Sequence, residues 1–296
     1  MKYMILGGGG VFGVHTALNL LEKNTTDKVV CVGRNRKRSE AFNLGLDEDK
    51  RYEYHQIHIT FETEVLLELI DKIKPNYIVN FAALAYATSW HSAHRYYDTN
   101  IVALSKICEF LYNKDYLDRF LQVGSSEVYG STKKPAKEDE VCNPTSPYSI
   151  SKLCGDLHML SLHNYNKFPA SVIRPSNCYG PGQLLYRIIP KAALCFMNNN
   201  KFPLEGGGKA EKSFMHTKDL SEAISLILHK GQNGHIYNAG VNEPYTMKEL
   251  IVKITKIMNI DFDKNVNIVP GRKFEDSKYW IDSSKINKEL GWKAKM

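Results

Sequence analysis

Two groups of residues in this sequence are spaced for chemistry. Tyr148-Ser149-Ile150-Ser151-Lys152 sets a phenol and an amine four positions apart. On a helix these positions share a face, so both groups can point into one site. An ammonium beside a phenol, with an oxidised nicotinamide nearby, lowers the phenol's pKa until it can serve as a base near neutral pH. Pro144 and Pro147 suit the start of that helix. The second group is Gln122-Val123-Gly124-Ser125-Ser126-Glu127-Val128-Tyr129-Gly130. It closes an apolar run that reads as a strand, which brings the Ser125 hydroxyl to the sheet edge where ligands bind. Glu127 follows Ser125 by two positions, so on an extended backbone both would face the same side.

A third motif supplies a place for the dinucleotide. Gly7-Gly8-Gly9-Gly10-Val11-Phe12-Gly13 carries glycines at 7, 10 and 13, after one apolar run and at the opening of a helical one. Missing side chains let the backbone approach a pyrophosphate, and a helix N-terminus offers N–H donors. The next strand ends Val32-Gly33-Arg34-Asn35-Arg36, without the carboxylate that usually receives the ribose hydroxyls of NAD. Two arginines there favour the 2′-phosphate of NADP over NAD. The expected cofactor surface is Gly7, Gly10, Phe12, Gly13, Arg34, Arg36 and Ala82, with Tyr148 and Lys152.

The elements that must position these residues follow from the apolar pattern. Tyr3–Leu6, Lys28–Val32, Tyr54–Ile59, Tyr77–Phe81 and Phe120–Val123 read as strands. Between them, helical spacing spans Glu62–Ile73 and Ile101–Leu111. Strands alternating with helices predict βαβ units, a parallel sheet and right-handed crossovers. The fold class is therefore α/β, a doubly wound (Rossmann) sheet, over residues 1–175. From 176 to 296 the rhythm breaks at prolines and glycines, and helices recur at Leu220–His229 and Met247–Ile257. This predicts a smaller mixed α/β substrate-binding lobe, with some exchange of chain between the two.

Composition excludes several classes. The 296 residues are 43% apolar and 24% charged, the balance of a soluble globular protein. No apolar stretch reaches the ~18 residues of a spanning helix, and Met1–Leu6 runs straight into glycines, so neither a secretory signal nor a membrane partner is expected. The six cysteines include no CxxC pair, which predicts reduced thiols in a cytoplasm. The net charge of +7 is spread along the chain, with one run at Arg34–Arg38. It suits anionic phosphate ligands better than nucleic acid. His91 and His94 have no third ligand nearby, so no metal is expected.

With these motifs assembled, the chain resembles an extended short-chain dehydrogenase/reductase of the branch that modifies nucleotide-diphosphate sugars. The shared features run from the glycine turn through Ser125 with Val128-Tyr129-Gly130, the Tyr148/Lys152 pair, and Arg174–Gly182. They continue through Phe214 to Asp219-Leu220 and Asp282 to Trp292. The resemblance implies that Ser125 bonds the sugar 4-hydroxyl, Tyr148 takes its proton, and Lys152 holds the ribose. It places Asn177, Arg187, Lys212, Arg272 and Lys278 on the substrate side, several of them near phosphates.

Glu127 corresponds to the 4,6-dehydratase residue that removes the C5 proton once C4 is a ketone, with a recycled cofactor. Ser126 stands where dTDP-glucose dehydratases have Asp and is like GDP-mannose 4,6-dehydratases, which favours a GDP-sugar. Arg36-Lys37-Arg38-Ser39 with Phe42-Asn43 is similar to that group as well. His58 and Ala85-Tyr86 depart from the pattern, so a C4 dehydrogenase or 4-epimerase stays open. A non-catalytic dinucleotide sensor is the more distant alternative. The helices near Ala93–Leu111 and Tyr148–Tyr165 match the family's dimer pair, implying a homodimer, with a tetramer as the alternative.

Overall fold

The computed structural model describes residues 1–37, 40–85, 92–271 and 278–296. The first part of the chain runs β1 (Lys2–Leu6), α1 (Val11–Leu21), β2 (Lys28–Gly33), α2 (Glu40–Asn43), β3 (Tyr52–Gln56), α3 (Thr63–Ile73) and β4 (Tyr77–Asn80). There follow α4 (His94–Tyr97), α5 (Ala103–Leu111), β5 (Arg119–Val123), α6 (Pro147–Asn166) and β6 (Ala170–Pro175). The rest contributes β7 (Asn177–Tyr179), α7 (Ile188–Met197), β8 (Phe202–Glu205), β9 (Glu211–Lys212), β10 (Phe214–His216), α8 (Thr217–Lys230) and β11 (Ile236–Ala239). It ends with β12 (Tyr245–Thr246), α9 (Met247–Ile257), α10 (Phe262–Asn265), β13 (Val266–Val269), β14 (Lys278–Tyr279) and α11 (Ser284–Leu290).

Seven strands form one sheet in the order β11-β6-β5-β4-β1-β2-β3, and every pairing is parallel. Parallel strands need cover on both faces, which is why β1 is an unbroken apolar run rather than an alternating one. Tyr3, Met4, Ile5 and Leu6 are all fully buried. Successive side chains take opposite faces. Tyr3 and Ile5 pack with Ala17 and Leu20 of α1 and with Leu220 and Ile224 of α8. Met4 and Leu6 pack with Leu66 and Ile70 of α3 and with Leu104 and Ile107 of α5. Each such burial contributes about 1.5–3 kcal/mol.

One boundary differs from the sequence expectation. The third strand is Tyr52–Gln56 rather than Tyr54–Ile59, because its ladder with β2 ends where Gly33 pairs with Gln56. Ile57 and Ile59 are still buried, but in the turn leading to α3. Their apolarity serves the helix layer, not the sheet.

Beyond residue 175 the chain divides. Ala192, Phe196, Phe202, Leu204, Ile251 and Val266 form a separate core around α7, α9 and the parallel pair β8/β13. The chain also returns to the large sheet: β11 adds an edge strand to β6, and α8 and α11 cover it. Asp219 in the first turn of α8 accepts the Lys295 amide at 3.0 Å and the Met296 amide at 3.1 Å. Among the described residues, no helix is long and apolar enough to cross a membrane.

Candidate active site

The site lies at the C-terminal edge of β1, β4 and β5, where the strand order reverses direction. Gly7 leaves β1 at φ +80°, and a side chain there would meet the Ala82 amide nitrogen at 2.7 Å. Only glycine permits that turn and that approach. Helix α1 follows Gly10, with no side-chain cap and no acidic residue in its first turn. Its orphan amides are therefore open to an anion, and the cradle fits the pyrophosphate of a dinucleotide. Phe12 packs 6.3 Å from Phe81, centre to centre, beside Ala82. Arg34 and Arg36 are exposed just past β2.

Helix α6 carries the phenol and the amine. Ser146 caps it, accepting from the Ser149 amide at 3.1 Å with Pro147 at the first position. This cap fixes the helix start, so Tyr148 and Lys152 fall on its inner face, the tyrosine half-buried and the lysine 3% exposed. Ser125 is at the end of β5. It is extended, but Ser126–Tyr129 forms a tight 3-10 turn, so Ser125 and Glu127 are not alternate residues of one extended stretch. Their proximity has another cause. The Ser125 hydroxyl oxygen caps the turn by accepting the Glu127 amide at 3.2 Å. Ser125 is also close enough to the Tyr148 phenol to lower its pKa.

Electrostatics sets the proton positions. Burial pushes the Tyr148 phenol well up, the Glu127 carboxylate adds to that, and Ser125 and Arg187 pull it back. The free site therefore holds its proton on Tyr148. Burial depresses the Lys152 ammonium from 10.5 to about 8, opposed by Asp156. Among the described residues no group of side chains is arranged to hold a metal ion.

Sequence reasoning passed over the support beneath this pair. Asp156 sits four residues after Lys152 on α6 and is fully buried. It accepts from Arg174 Nε at 2.8 Å. Arg174 Nη1 donates to the Tyr129 hydroxyl at 2.8 Å, and that hydroxyl donates to Asn238 Oδ1 of β11 at 2.9 Å. Burial raises the Asp156 carboxyl against the opposing pull of Arg174 and Lys152, while Asp156 and Tyr129 hold the Arg174 guanidinium up against its own burial. The i, i+4 spacing from Lys152 was the available signal; nothing local pairs Asp156 with Arg174. Asn100 is a second support. Its side chain bonds both backbone groups of Leu84 and donates to Ser151 Oγ at 2.8 Å, tying the segment after β4 to α6. It lies in a wide π turn, Asp98–Val102, that interrupts the expected helix between α4 and α5.

Of the residues expected on the substrate side, Asn177 lies on β7, Arg187 immediately precedes α7 without a side-chain cap, and Ser126 is buried in the 3-10 turn. Arg187 is near enough to act on Tyr148. Lys212 and Lys278 are separated. Lys212 pairs laterally with Tyr245 and Tyr279, whereas Lys278 pairs with Glu211. Lateral partners share a sheet face and neighbours along a strand do not, so the two lysines project from opposite faces. Lys278 also makes an ion pair with Glu211 at 2.6 Å. Arg272, Arg38, Ser39, Tyr86 and His91 lie outside the described residues. His58 accepts from the Thr60 amide at 3.3 Å and packs on Phe61.

A doubly wound sheet with a glycine turn, a Tyr/Lys pair on one helix and a serine at the strand edge defines an extended short-chain dehydrogenase/reductase. The GDP-mannose 4,6 dehydratase family model matches residues 4–296, and the chain belongs to that family, among the nucleotide-sugar dehydratases and epimerases. It is 27% identical over 339 residues to the dTDP-D-glucose 4,6-dehydratase of Dictyostelium discoideum, covering 99% of this chain and 77% of that protein. It is 28% identical over 295 residues to the trifunctional UDP-glucose 4,6-dehydratase/UDP-4-keto-6-deoxy-D-glucose 3,5-epimerase/UDP-4-keto-L-rhamnose-reductase RHM1 of Arabidopsis thaliana. That match covers 98% of this chain but only 44% of the plant protein. Among solved structures, DesIV, the dTDP-glucose 4,6-dehydratase of Streptomyces venezuelae with NAD bound, matches with a TM-score of 0.92 at 27% identity. The match covers 100% of this chain and 92% of DesIV.

Proposed function

We propose that the protein is a 4,6-dehydratase of a nucleoside-diphosphate sugar. The observation that carries the reading is a carboxylate, Glu127, within electrostatic reach of the Tyr148 phenol and fixed through its amide to Ser125. When bound, the dinucleotide accepts hydride from C4 and returns it at C6. Ser125 holds the sugar 4-hydroxyl. Tyr148 takes the proton from that hydroxyl, with its pKa brought down by the cationic groups of the loaded site. Lys152 binds the ribose as an ammonium. Once C4 is a ketone, the C5 proton is acidic enough for Glu127 to remove. The two protons taken up by Tyr148 and Glu127 balance the one that leaves with the C6 hydroxyl as water and the one that returns to C5 as hydride adds to C6.

The absence of an acid at Ser126 and the basic segment after β2 favour a GDP-sugar, while the relatives named above act on dTDP- and UDP-glucose. Arg34 and Arg36, with Gly33 where a carboxylate would serve NAD, favour NADP. Exposed Val102, Leu157 and Tyr165, on or beside α5 and α6, support a homodimer through these helices.

The test is mass spectrometry of products from GDP-, UDP-, dTDP- and CDP-sugars. The expected result is loss of one water from a single donor. Glu127→Gln is expected to stop at the 4-ketone, with water loss reduced about 10²- to 10⁴-fold. An epimer of unchanged mass, or a product short of two hydrogens from the wild type, would replace this reading with an epimerase or a C4 dehydrogenase.

A further inference from the structure

The turn that carries Arg34 and Arg36 is held from below by β3. Tyr54 and Gln56 are two residues apart on that strand and therefore share a face. The Tyr54 hydroxyl donates to the Asn35 carbonyl at 2.7 Å, and Gln56 Nε2 donates to the Arg34 carbonyl at 3.3 Å. Two successive carbonyls of the turn are thus fastened to the neighbouring strand. The neighbouring Lys37 is paired with Asp47 at 2.5 Å, and Arg34 and Arg36 are exposed among the described residues of this corner.

The same phenol fills a space that matters for cofactor choice. A side chain at Gly33 would begin 2.6 Å from the Tyr54 oxygen, and one at Gly9 would begin 2.8 Å from it. Both distances are below any real contact, and the ring is pinned by its bond to Asn35. Position 33 ends β2, the place from which a carboxylate would reach the ribose hydroxyls of NAD. With Tyr54 present, such a side chain cannot enter without turning the ring out and releasing the turn.

We infer that Tyr54 is a specificity-determining residue: it excludes a carboxylate from position 33 and, with Gln56, sets the Arg34–Arg36 turn for a 2′-phosphate. The inference rests on the NADP reading above and names what enforces it. It also explains why Gly33 and Tyr54 occur together, since a glycine without the phenol would leave a hole beside the glycine turn.

The experiment is calorimetric titration of NADP and NAD into the wild type, Tyr54→Phe, Tyr54→Ala, Gly33→Asp and the Gly33→Asp/Tyr54→Ala double variant. The wild type is expected to bind NADP about tenfold or more tighter. Tyr54→Phe keeps the ring and loses one hydrogen bond, so NADP binding weakens about two- to tenfold with NAD unchanged. Tyr54→Ala does the same to NADP. Gly33→Asp alone weakens both dinucleotides, whereas the double variant prefers NAD. If Gly33→Asp gains NAD affinity equally with and without Tyr54, the two positions are uncoupled and the inference fails, while the NADP reading survives. A wild type that prefers NAD overturns both.

Discussion

Replacing Lys152 with methionine should abolish turnover and stabilise the fold. The ammonium is 3% exposed, and burial lowers its pKa from 10.5 to about 8 against the pull of Asp156. Each pH unit between those values corresponds to about 1.4 kcal/mol, so at neutral pH the buried charge costs the folded state on the order of 3 kcal/mol. Methionine keeps most of the aliphatic stem and removes that cost. For a chain of this size the thermal midpoint should rise by roughly 5–10 °C at pH 7.

The pH dependence supplies the control. Below pH 8 the lysine is charged in both states and its penalty is constant. Between about 8 and 10.5 the unfolded chain binds the extra proton, so this group's contribution to stability rises with pH, and above 10.5 the penalty is gone. Buried Cys31 and Cys108 and the half-buried Cys178 act the other way. Their thiols are pushed up by burial, so the unfolded chain loses those protons first and stability falls above pH 9. The difference between wild-type and variant midpoints cancels the thiol contribution. The variant's advantage should be flat below pH 8 and shrink to nothing by pH 10.5. A variant that melts at or below the wild type at pH 7, or an advantage that does not change across this window, would refute the assignment of a buried charged lysine.

Other outcomes follow from the same site. Asp156→Asn leaves the Arg174 guanidinium buried without its counter-charge and should cost about 3–5 kcal/mol in chemical denaturation. The paired change Asp156→Leu/Arg174→Met removes both charges and should recover most of that loss; equal destabilisation of the two would show that the ion pair is not the cause. His229 is neutral in the fold, donating from Nδ1 to the Ser225 carbonyl at 2.6 Å and accepting the Tyr3 hydroxyl at 2.8 Å, and burial lowers its pKa from 6.5. The unfolded chain therefore gains a proton first on acidification, and stability should fall as the pH drops through 6.5. His229→Gln should flatten that fall in a series of melts from pH 7.5 to 5, and an unchanged slope would exclude His229 as a contributor.

The sheet, the glycine turn and the α6 pair were legible because each is a local pattern. An apolar run, a glycine spacing and an i, i+4 spacing need no knowledge of distant chain. The third strand ends three residues earlier than expected because Ile57 and Ile59 are buried by α3 rather than by β2, and burial alone does not say which neighbour supplies it. Glu127 was reached from a mistaken extended geometry, since a cap hydrogen bond, not strand alternation, joins it to Ser125. The Asp156–Arg174–Tyr129–Asn238 chain was not legible, because its members are separated by 18, 45 and 109 residues along the sequence. The separation of Lys212 from Lys278 depends likewise on the register of two-residue strands.

The late arrival of β11 has a consequence for synthesis. Ser125, Tyr148 and Lys152 have all been made by residue 152, and the strand that carries Arg174 by residue 175. Asn238, which receives the Tyr129 hydroxyl, reaches the sheet only after the chain has made the first part of the small lobe, α7 and β8. Until then β6 is an open parallel edge, the kind of surface on which nascent chains pair wrongly. The hydroxyl that steadies Arg174 meanwhile lacks its acceptor. A growing chain therefore carries its reactive residues well before it can hold them, and the order of the sheet makes the final assembly of the site wait on its outermost strand.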